Sequence, residues 1–355
     1  MPTPSIALAS LSIQDFRGIE SLELDFHGPD GNPNQLVVLA GPNGCGKTAV
    51  LEAGLLAASL SEGSKLVTGP TDRRAIRYGS KLYRIRAQIQ VHGQEKASEV
   101  VFPRPMSQPR HGLAALHGEQ ERQESEVVVA SPMSQPLPMY EKRPVWYFSS
   151  WRAPALVGPV DATVGKRGHR PARNDRNGLL NVKQLLVNIA TIERFDDRLP
   201  HLGRYSEIMP VINEAWREFY PERDESFSVE VVKSEEPAGG SFDVYLRTSE
   251  GFLLEVDLLS AGQLELFLFL SALALNKDRE GIVFIDEPEL HLDPQWHRSI
   301  LRCLMRLQPR AQFVVATHSP EIYDEARSYE RHFLVPEDDP RARIWHPVRP
   351  IGAGA

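Results

Sequence analysis

Alternating hydrophobic and polar residues predict the strands of the N-terminal part of the chain. Residues 11–26 (LSIQDFRGIESLELDF) contain two alternating segments around Arg17-Gly18, which predicts two antiparallel strands joined by a tight turn. Residues 35–40 (QLVVLA) are apolar after Gln35, as is typical of a strand covered on both faces of a sheet. Residues 81–93 (KLYRIRAQIQVHG) alternate again and predict a further strand.

The last third of the chain alternates between predicted helices and predicted strands. Residues 264–275 (LELFLFLSALAL) form an almost wholly apolar helical segment, and residues 281–286 (GIVFID) form an apolar strand. An amphipathic helix over 294–307 and an apolar strand over 312–317 follow. Together with a helical segment at 48–60, this order predicts βα units, a mostly parallel sheet and an α/β fold.

The middle of the chain breaks this pattern, and we predict four segments. Residues 1–100 begin the α/β core. Residues 101–144 are crowded with prolines and contain the string PMSQP twice, which indicates a mobile insertion. Residues 145–220 hold a basic loop and two amphipathic helices. Residues 221–355 contain three alternating strands and then complete the core.

Composition and charge restrict the class of protein. With 355 residues, 41% of them hydrophobic, the chain can bury a full α/β core. A net charge of −7 argues against non-specific coating of nucleic acid, while it allows local basic patches. Cys45 and Cys303 are the two cysteines, too few for a disulfide framework. The N-terminus lacks the pattern of a signal peptide, and residues 264–275 are too short to span a bilayer. We therefore expect a cytoplasmic protein without membrane contact.

Residues 41–48 (GPNGCGKT) follow a predicted strand and open a predicted helix, which is the setting of a phosphate-binding loop. Its glycines allow backbone amides to converge on phosphate at a helix N-terminus. Lys47 is expected to reach the β- and γ-phosphates of ATP, and the Thr48 hydroxyl to bind Mg²⁺. Cys45 is either a small loop residue or a redox-sensitive thiol. The expected nucleotide-binding residues here are Asn43, Gly44, Cys45, Gly46, Lys47, Thr48 and Ala49.

Polar residues follow two further apolar strands. Asp286 and Glu287 end the strand GIVFID, where ligands of open α/β sheets bind. Since neighbours on an extended strand point in opposite directions, we expect Asp286 to hold Mg²⁺ and Glu287 to act as general base toward water. The alternative is a solvated acidic strand end. His318 follows the strand QFVVAT and is expected either to contact the γ-phosphate or to polarise the water, unless it is a satisfied structural partner.

Residues 259–263 (LSAGQ) are similar to the LSGGQ signature of the ABC ATPase superfamily, with alanine in the second small position. The phosphate loop, signature, acid pair, Asp293 at the D-loop position and His318 occur in the family's order. The resemblance implies that two chains dimerise head to tail around two ATP molecules. In that dimer Ser260, Gly262 and Gln263 would close over the nucleotide held by the partner. Alternatively, Ser260 is an ordinary helix N-cap.

Other features resemble the RecF, SMC and OLD branch of that superfamily. The FRGI turn precedes the phosphate loop, PELHLDP follows the acid pair, and THSP ends the last core strand. The resemblance implies an ABC-type P-loop fold with a mixed sheet, an N-terminal antiparallel β-subdomain and a short helical insertion. It also implies that Arg17 approaches the nucleotide, against the alternative of a surface arginine in a turn. About 35 residues follow the His318 strand, so we expect no fused Toprim nuclease but a separate effector protein.

These features predict an ATPase that uses ATP and Mg²⁺ as a switch and controls a nucleic-acid-directed partner, such as a nuclease, in DNA repair or anti-phage defence. The alternatives are the nucleotide-binding subunit of a membrane transporter and a scaffold with little turnover. Direct contact with DNA or RNA would rest on two basic features, for which a solvated helix face and a mobile loop are the competing explanations. The two features are residues 166–176 and the row Arg298, Arg302 and Arg306. The Q-loop glutamine stays open among Gln88, Gln90 and Gln94.

Overall fold

A computed structural model of the chain describes residues 4–58, 71–103, 128–130, 145–150, 156–161, 178–195, 204–232, 241–277 and 279–335. The chain divides into two units that each take several segments. The first unit is formed by Met1–Tyr147, Glu280–Glu287 and Ala311–Ala355, and the second by Phe148–Arg279 and Pro288–Arg310. Among the described residues, none of the helices combines the length and the apolar character that crossing a bilayer demands.

The elements of the first unit are, in chain order, β1 (Ile6–Phe16), β2 (Ile19–Asp25), β3 (Leu36–Ala40), α1 (Lys47–Ala58), β4 (Tyr83–Val91), β5 (Gln94–Phe102), β6 (Val128–Ala130) and β7 (Val145–Phe148), whose last residue enters the second unit. Those of the second unit are β8 (Val160–Asp161), α2 (Gly178–Phe195), α3 (Tyr205–Phe219), β9 (Ser226–Val231), β10 (Ser241–Arg247), β11 (Leu253–Glu255) and α4 (Ala261–Ala274). The remaining elements are β12 (Gly281–Asp286), α5 (His297–Leu307), β13 (Ala311–Thr317), α6 (Pro320–Glu325) and β14 (Arg331–Phe333).

The first unit contains two sheets. One has the order β14-β3-β13-β12-β7, and its β14, β3, β13 and β12 run parallel to one another. Every residue of β3, β12 and β13 is buried, as their apolar sequences predict. The other sheet has the order β2-β1-β4-β5-β6 and is antiparallel. The predicted α/β fold with a mixed strand arrangement and an N-terminal antiparallel subdomain is thereby confirmed.

Helix α1 lies against both sheets of the first unit. Its side chains share one hydrophobic core with Leu8 and Ile85 of the antiparallel sheet and with Phe284 and Val314 of the parallel sheet. At Gly54 an added Cβ would lie 3.0 Å from the Phe284 ring, so this glycine lets helix and sheet approach closely. Because α1 is enclosed on all sides, its start at the phosphate loop is fixed by the core.

The second unit packs helices beside an antiparallel sheet in which β9, β11 and β8 all pair with β10. Helix α4 contacts α2, α3 and α5, and all its residues from Leu264 to Ala274 are buried. The prediction that this apolar segment is a core helix is therefore confirmed.

The structure differs from the sequence-based expectations in two local details. The third strand predicted in the middle of the chain ends after three residues, because Val256–Leu258 turns into a 3-10 helix. Residues 101–144 lie mostly outside the described residues, although β5 extends to Phe102 and β6 pairs with it. The interpretation of that segment as a mobile insertion stays a prediction, as do the four predicted segment boundaries.

Candidate functional site

The phosphate loop connects β3 to α1 through backbone conformations that favour glycine. Gly41, Gly44 and Gly46 have φ angles of 146°, 80° and 99°. At Gly41 an added Cβ would also lie 2.8 Å from the Cys45 Sγ atom. Helix α1 begins at Lys47, so the loop presents amide hydrogens at a helix N-terminus, where an anion is favoured.

Lys47 is buried within its own loop. Its Nζ atom donates to the carbonyl oxygens of Gly41 at 2.7 Å and Pro42 at 3.2 Å, and it lies 3.2 Å from Nδ1 of His318. Only 5% of the residue is exposed. The ammonium group is therefore held where phosphate oxygens can replace the loop carbonyls as its acceptors.

His318 connects Lys47 to Glu287. Its Nε2 atom lies 3.2 Å from Oε1 of Glu287, on the opposite side of the ring from the lysine contact. An ammonium group can only donate, so Nδ1 of a hydrogen-bonded His318 must accept. The hydrogen-bond network therefore assigns the ring proton to Nε2, from which it is donated to the carboxylate.

Asp286 faces the start of helix α1. The Thr48 hydroxyl donates to its carboxylate, with the shorter distance 3.0 Å to Oδ2. Asp286 is 1% exposed. A hydroxyl and a carboxylate side by side supply the oxygen ligands that Mg²⁺ prefers, and Mg²⁺ usually takes few protein ligands beside substrate phosphates. The two residues therefore fit the predicted metal site.

The separation of Asp286 and Glu287 has a different cause from the one expected. Strand β12 ends at Asp286, and Glu287 adopts the left-handed conformation with a φ of 53°. Its amide still donates to the Ala316 carbonyl at 2.7 Å, which holds the reversed backbone against β13. The expectation of two neighbours on an extended strand is therefore wrong in its geometry. The two carboxylates nevertheless have separate partners, Thr48 and His318.

Arg17 is not the surface arginine considered as an alternative. Its side chain is 20% exposed and forms an ion pair with Glu52 of α1, which is fully buried. Burial lowers the pKa of Arg17. The residue has a φ of 52°, and its amide donates to the Ala75 carbonyl at 2.6 Å. Glu52 was missed from the sequence, although a lone acidic residue inside the apolar helix TAVLEAGLL was the available signal.

The signature turn lies in the second unit, at the start of α4. Ser260 is the N-cap: its hydroxyl accepts from the Gln263 amide at 3.4 Å, and Gln263 Oε1 accepts from the Ser260 amide at 3.1 Å. This is a capping box, which ties the two ends of the turn together. The structure thus contains the N-cap role considered as an alternative, and Ser260 and Ala261 are also exposed to solvent.

Gly262 packs directly against the backbone of the segment that follows the acid pair. An added Cβ would lie 2.2 Å from the His291 carbonyl oxygen. His291 itself has a φ of 63°, and its Nδ1 atom is 3.1 Å from the carboxylate of Glu265 on α4. Neither His291 nor Glu265 was singled out from the sequence. Asp293, two residues further on, caps the short Pro294–Trp296 turn.

Tyr220 adds a third contact to the turn. Burial raises the pKa of its phenol to about 12, and its side chain is hydrogen-bonded to Gln263. Its ring stacks on Trp216 with centroids 4.6 Å apart and meets Trp296 edge-on at 4.9 Å. The end of α3 is therefore connected to the signature turn, a role that the aromatic spacing of the sequence alone does not reveal.

The structure brings part of the predicted site together within the first unit. Two sets of residues in contact lie at the ends of neighbouring strands: Lys47 with His318 and Glu287, and Thr48 with Asp286. Asn43 is exposed on the loop, and Ala49 is buried in α1. Ser260, Gly262, Gln263 and Asp293 belong to the second unit. Their roles toward ATP stay predictions.

The structure gives limited support to a role of the two basic features in nucleic-acid contact. Arg306 forms an ion pair with Glu218, and Arg302 donates to the carbonyl of Arg298 at 3.1 Å, so part of the arginine row is engaged within the second unit. Residues 166–176 lie outside the described residues. Nucleic-acid contact stays a prediction.

Comparison with known proteins gives family matches in two parts of the chain. A family described as "AAA domain, putative AbiEii toxin, Type IV TA system" matches residues 152–324, and one described as "AAA domain" matches residues 10–95. The chain is 29% identical to Septu protein PtuA of Bacillus thuringiensis over 129 residues, which cover 33% of the chain and 31% of that protein. It is 38% identical to the retron Vc95 probable ATPase of Vibrio cholerae serotype O1 biovar El Tor over 76 residues, which cover 21% and 15%.

A solved structure supports the fold. The SMC head bound to the C-winged helix domain of ScpA has a TM-score of 0.52 and 14% sequence identity, over 90% of this chain and 92% of that one. The fold is therefore similar to that of an SMC head, and both matching family models describe AAA domains. The chain is therefore similar to AAA-family ATPases, and its matched relatives include a Septu protein and a retron ATPase. The matched segments span less than a third of either curated relative.

Proposed function

We propose that this protein is an ATP-hydrolysing switch: two copies close head to tail around two ATP molecules and thereby control an effector protein. The observation that carries the proposal is the contact series Lys47–His318–Glu287 beside the Thr48–Asp286 pair. It combines a cation for the phosphates, a carboxylate for the attacking water and a histidine between them. Phosphoryl transfer depends mainly on such positioning and on charge stabilisation.

In the proposed reaction Lys47 leaves the loop carbonyls and binds the β- and γ-phosphate oxygens. Glu287 orients a water for attack on the γ-phosphorus and accepts its proton, and ADP leaves as the bond to the γ-phosphate breaks. The proton on Nε2 of His318 holds one oxygen of Glu287 in place, so the carboxylate is directed before substrate binds. Thr48 and Asp286 would hold Mg²⁺, which when bound neutralises charge on the phosphates.

The exposure of the signature turn, together with its capping box, supports the proposed dimer. The turn is solvent-exposed at Ser260 and Ala261, yet it begins a helix that is buried from Leu264 to Ala274. Amides at a helix N-terminus favour an anion, so the turn is suited to the γ-phosphate held by a second copy. ATP would then stabilise the closed dimer by mass action, and hydrolysis would release it.

The proposed context is cytoplasmic defence against phage or DNA repair. Two matched relatives are named as a Septu protein and a retron ATPase, and both cysteines are free thiols, as a reducing compartment requires. The effector is proposed to be a separate protein such as a nuclease. Co-purification with the ATP-locked dimer is the direct way to identify it.

The test is the Glu287→Gln variant, which keeps the shape of the side chain but removes its ability to accept a proton. We expect ATP turnover to fall by about 10²–10⁴-fold while ATP binding is retained, because general bases contribute that much. In sedimentation experiments the variant should accumulate as an ATP-bound dimer. Glu20→Gln is the matched control, because the Glu20 side chain is 74% exposed and its ion pair with Arg77 lies at the surface.

Two outcomes would contradict the proposal. Parental turnover in Glu287→Gln would exclude this residue as the base. A variant that binds ATP but remains monomeric at every concentration would exclude the shared-nucleotide dimer. A scaffold with little turnover predicts a third pattern, in which Glu287→Gln and the parent protein behave alike.

A further inference from the structure

A buried ion cluster lies just ahead of the signature turn in the second unit. It consists of Lys183 on α2, Asp243 on β10 and Asp257 in the 3-10 turn Val256–Leu258. The side chains of Lys183 and Asp243 are fully buried, and that of Asp257 is 8% exposed. Asp257 precedes Ser260 by three positions in the sequence. The ATPase site in the first unit makes no use of this cluster.

Each donor of the Lys183 ammonium group has its own acceptor. The Nζ atom donates to the Gly158 carbonyl at 2.7 Å, contacts Oδ1 of Asp243 at 2.6 Å and contacts Oδ2 of Asp257. The other carboxylate oxygen of Asp257 accepts from the amides of Val157 at 2.6 Å and Gly158 at 3.2 Å. Asp257 thus fastens three stretches of chain together: α2, the segment before β8, and the turn that leads into the signature.

The cluster keeps Asp257 ionised in a buried position. Burial alone would raise the pKa of Asp257, but hydrogen bonds from Lys183 and from the amides of Val157 and Gly158 outweigh it, and the pKa is lowered. A buried ion pair contributes little net stability compared with apolar side chains of similar size. Its contribution is to fix the position of the chain segments that it joins, because each of its hydrogen bonds fixes one atom of the backbone or side chain.

Because Asp257 lies in the turn that leads into Ser260, its fixed position also limits where Ser260 can lie. The 3-10 turn closes with the Leu259 amide donating to the Val256 carbonyl at 3.1 Å, and Ser260 follows at once as the N-cap of α4. Leu258 at the outer side of the turn is 65% exposed, so packing does not hold that side. Within the described chain, the polar attachment of this turn to its own unit is therefore made through Asp257.

We propose that Lys183 and Asp257 are positioning residues for the signature turn. They fix the position and orientation of Ser260 and Gly262 relative to the γ-phosphate bound by a second copy. This inference rests on the proposed ATP-dependent dimer. It assigns the cluster a part in closing the dimer and none in binding ATP to the first unit. Changes in the cluster should therefore separate the two events.

The experiment uses the full chain in the Glu287→Gln background, so that hydrolysis does not blur the dimer equilibrium. Asp257→Asn is the main variant, because it keeps the size of the side chain and removes its charge. We expect a normal affinity and stoichiometry for a fluorescent ATP analogue, and an ATP-dependent dimer weakened by about tenfold in sedimentation. Lys183→Met should weaken the dimer at least as much, and Lys183→Arg should restore part of the loss.

The matched control is Arg247→Met on β10, since Arg247 is half-exposed and its carboxylate partner Glu230 lies 3.8 Å away on the surface of the same sheet. The binding stoichiometry measures the folded fraction, so a purely structural role would lower that number and leave the dimer constant of the folded molecules unchanged. If Lys183→Met fails to fold, Asp257→Asn decides alone.

The failures are distinguishable. If the Glu287→Gln background does not dimerise with ATP, or does so regardless of Ser260→Ala, the proposed dimer and this inference both fall. If it dimerises in a Ser260-dependent way but Asp257→Asn dimerises equally well, the inference alone is overturned.

Discussion

Substituting Gly262 with alanine should destabilise the protein in the absence of any nucleotide. The added Cβ would lie 2.2 Å from the His291 carbonyl oxygen, whereas real Cβ atoms essentially never come closer than 3.0 Å. The backbone of the signature turn or of the His291 segment must therefore move by about 0.8 Å, and both are main-chain atoms without rotamers to adjust. Overpacking of this kind costs about 1–3 kcal/mol. At roughly 2–4 °C per kcal/mol, the melting temperature should fall measurably.

The assay is thermal unfolding of Gly262→Ala without ATP, followed by circular dichroism. Gly18→Ala is the matched control, because nothing lies within 4 Å of the position that an added Cβ would take there and the φ of Gly18 is not in the left-handed range. We expect the control to melt like the parent protein. If Gly262→Ala also melts like the parent and loses only the ATP-dependent dimer, then close approach to phosphate, rather than packing on His291, explains the glycine.

Three further predictions follow from individual contacts. Tyr220→Phe removes the hydrogen bond to Gln263, worth about 0.5–1.5 kcal/mol, and should weaken the ATP-dependent dimer by roughly 2–10-fold in sedimentation with ATP affinity unchanged. Thr48→Val should abolish the gain in ATP affinity that Mg²⁺ gives, and calorimetric titrations with and without Mg²⁺ check this; an unchanged gain would exclude Thr48 as a ligand. Burial lowers the pKa of His332. As the pH drops below about 6.5, the histidine therefore binds a proton in the unfolded state before it does so in the folded state, and the free energy of unfolding should fall. Chemical unfolding of His332→Phe should show a shallower fall over this pH range, and an equal slope would contradict the assignment.

The strands and helices could largely be predicted because their patterns are local. The all-apolar runs that became β3, β12 and β13 are buried throughout, and the phosphate loop, the acid pair and His318 follow these neighbouring strands at the same sheet edge. The conformation of Glu287 could not be predicted in this way. A left-handed φ at a glutamate is unfavourable and is fixed by the tertiary contact of its amide with Ala316, which no sequence pattern records.

The residues that sequence analysis missed share a physical reason. Three buried charged side chains lie inside helices and are each held by a partner distant in sequence: Glu52 by Arg17, Lys183 by Asp257 and Glu265 by His291. The pattern of a helix shows that such a charge is buried, but not which residue neutralises it.

The small polar turn at Ser260–Gln263 opens the apolar helix α4 and is held by contacts with residues distant in sequence. In the proposed dimer the turn meets a phosphate on another molecule and therefore has to stay exposed, and an exposed turn of Ser, Ala and Gly has little packing of its own to fix it. In the second unit three contacts hold the turn in place of its own packing. They are the His291 backbone against Gly262, Tyr220 against Gln263, and the ion cluster of Asp257 just before Ser260. Each contact reaches a different residue of the turn or its approach. Loss of any one should therefore shift the turn rather than unfold it, and graded weakening of the dimer, in place of complete loss, is the behaviour that this arrangement requires.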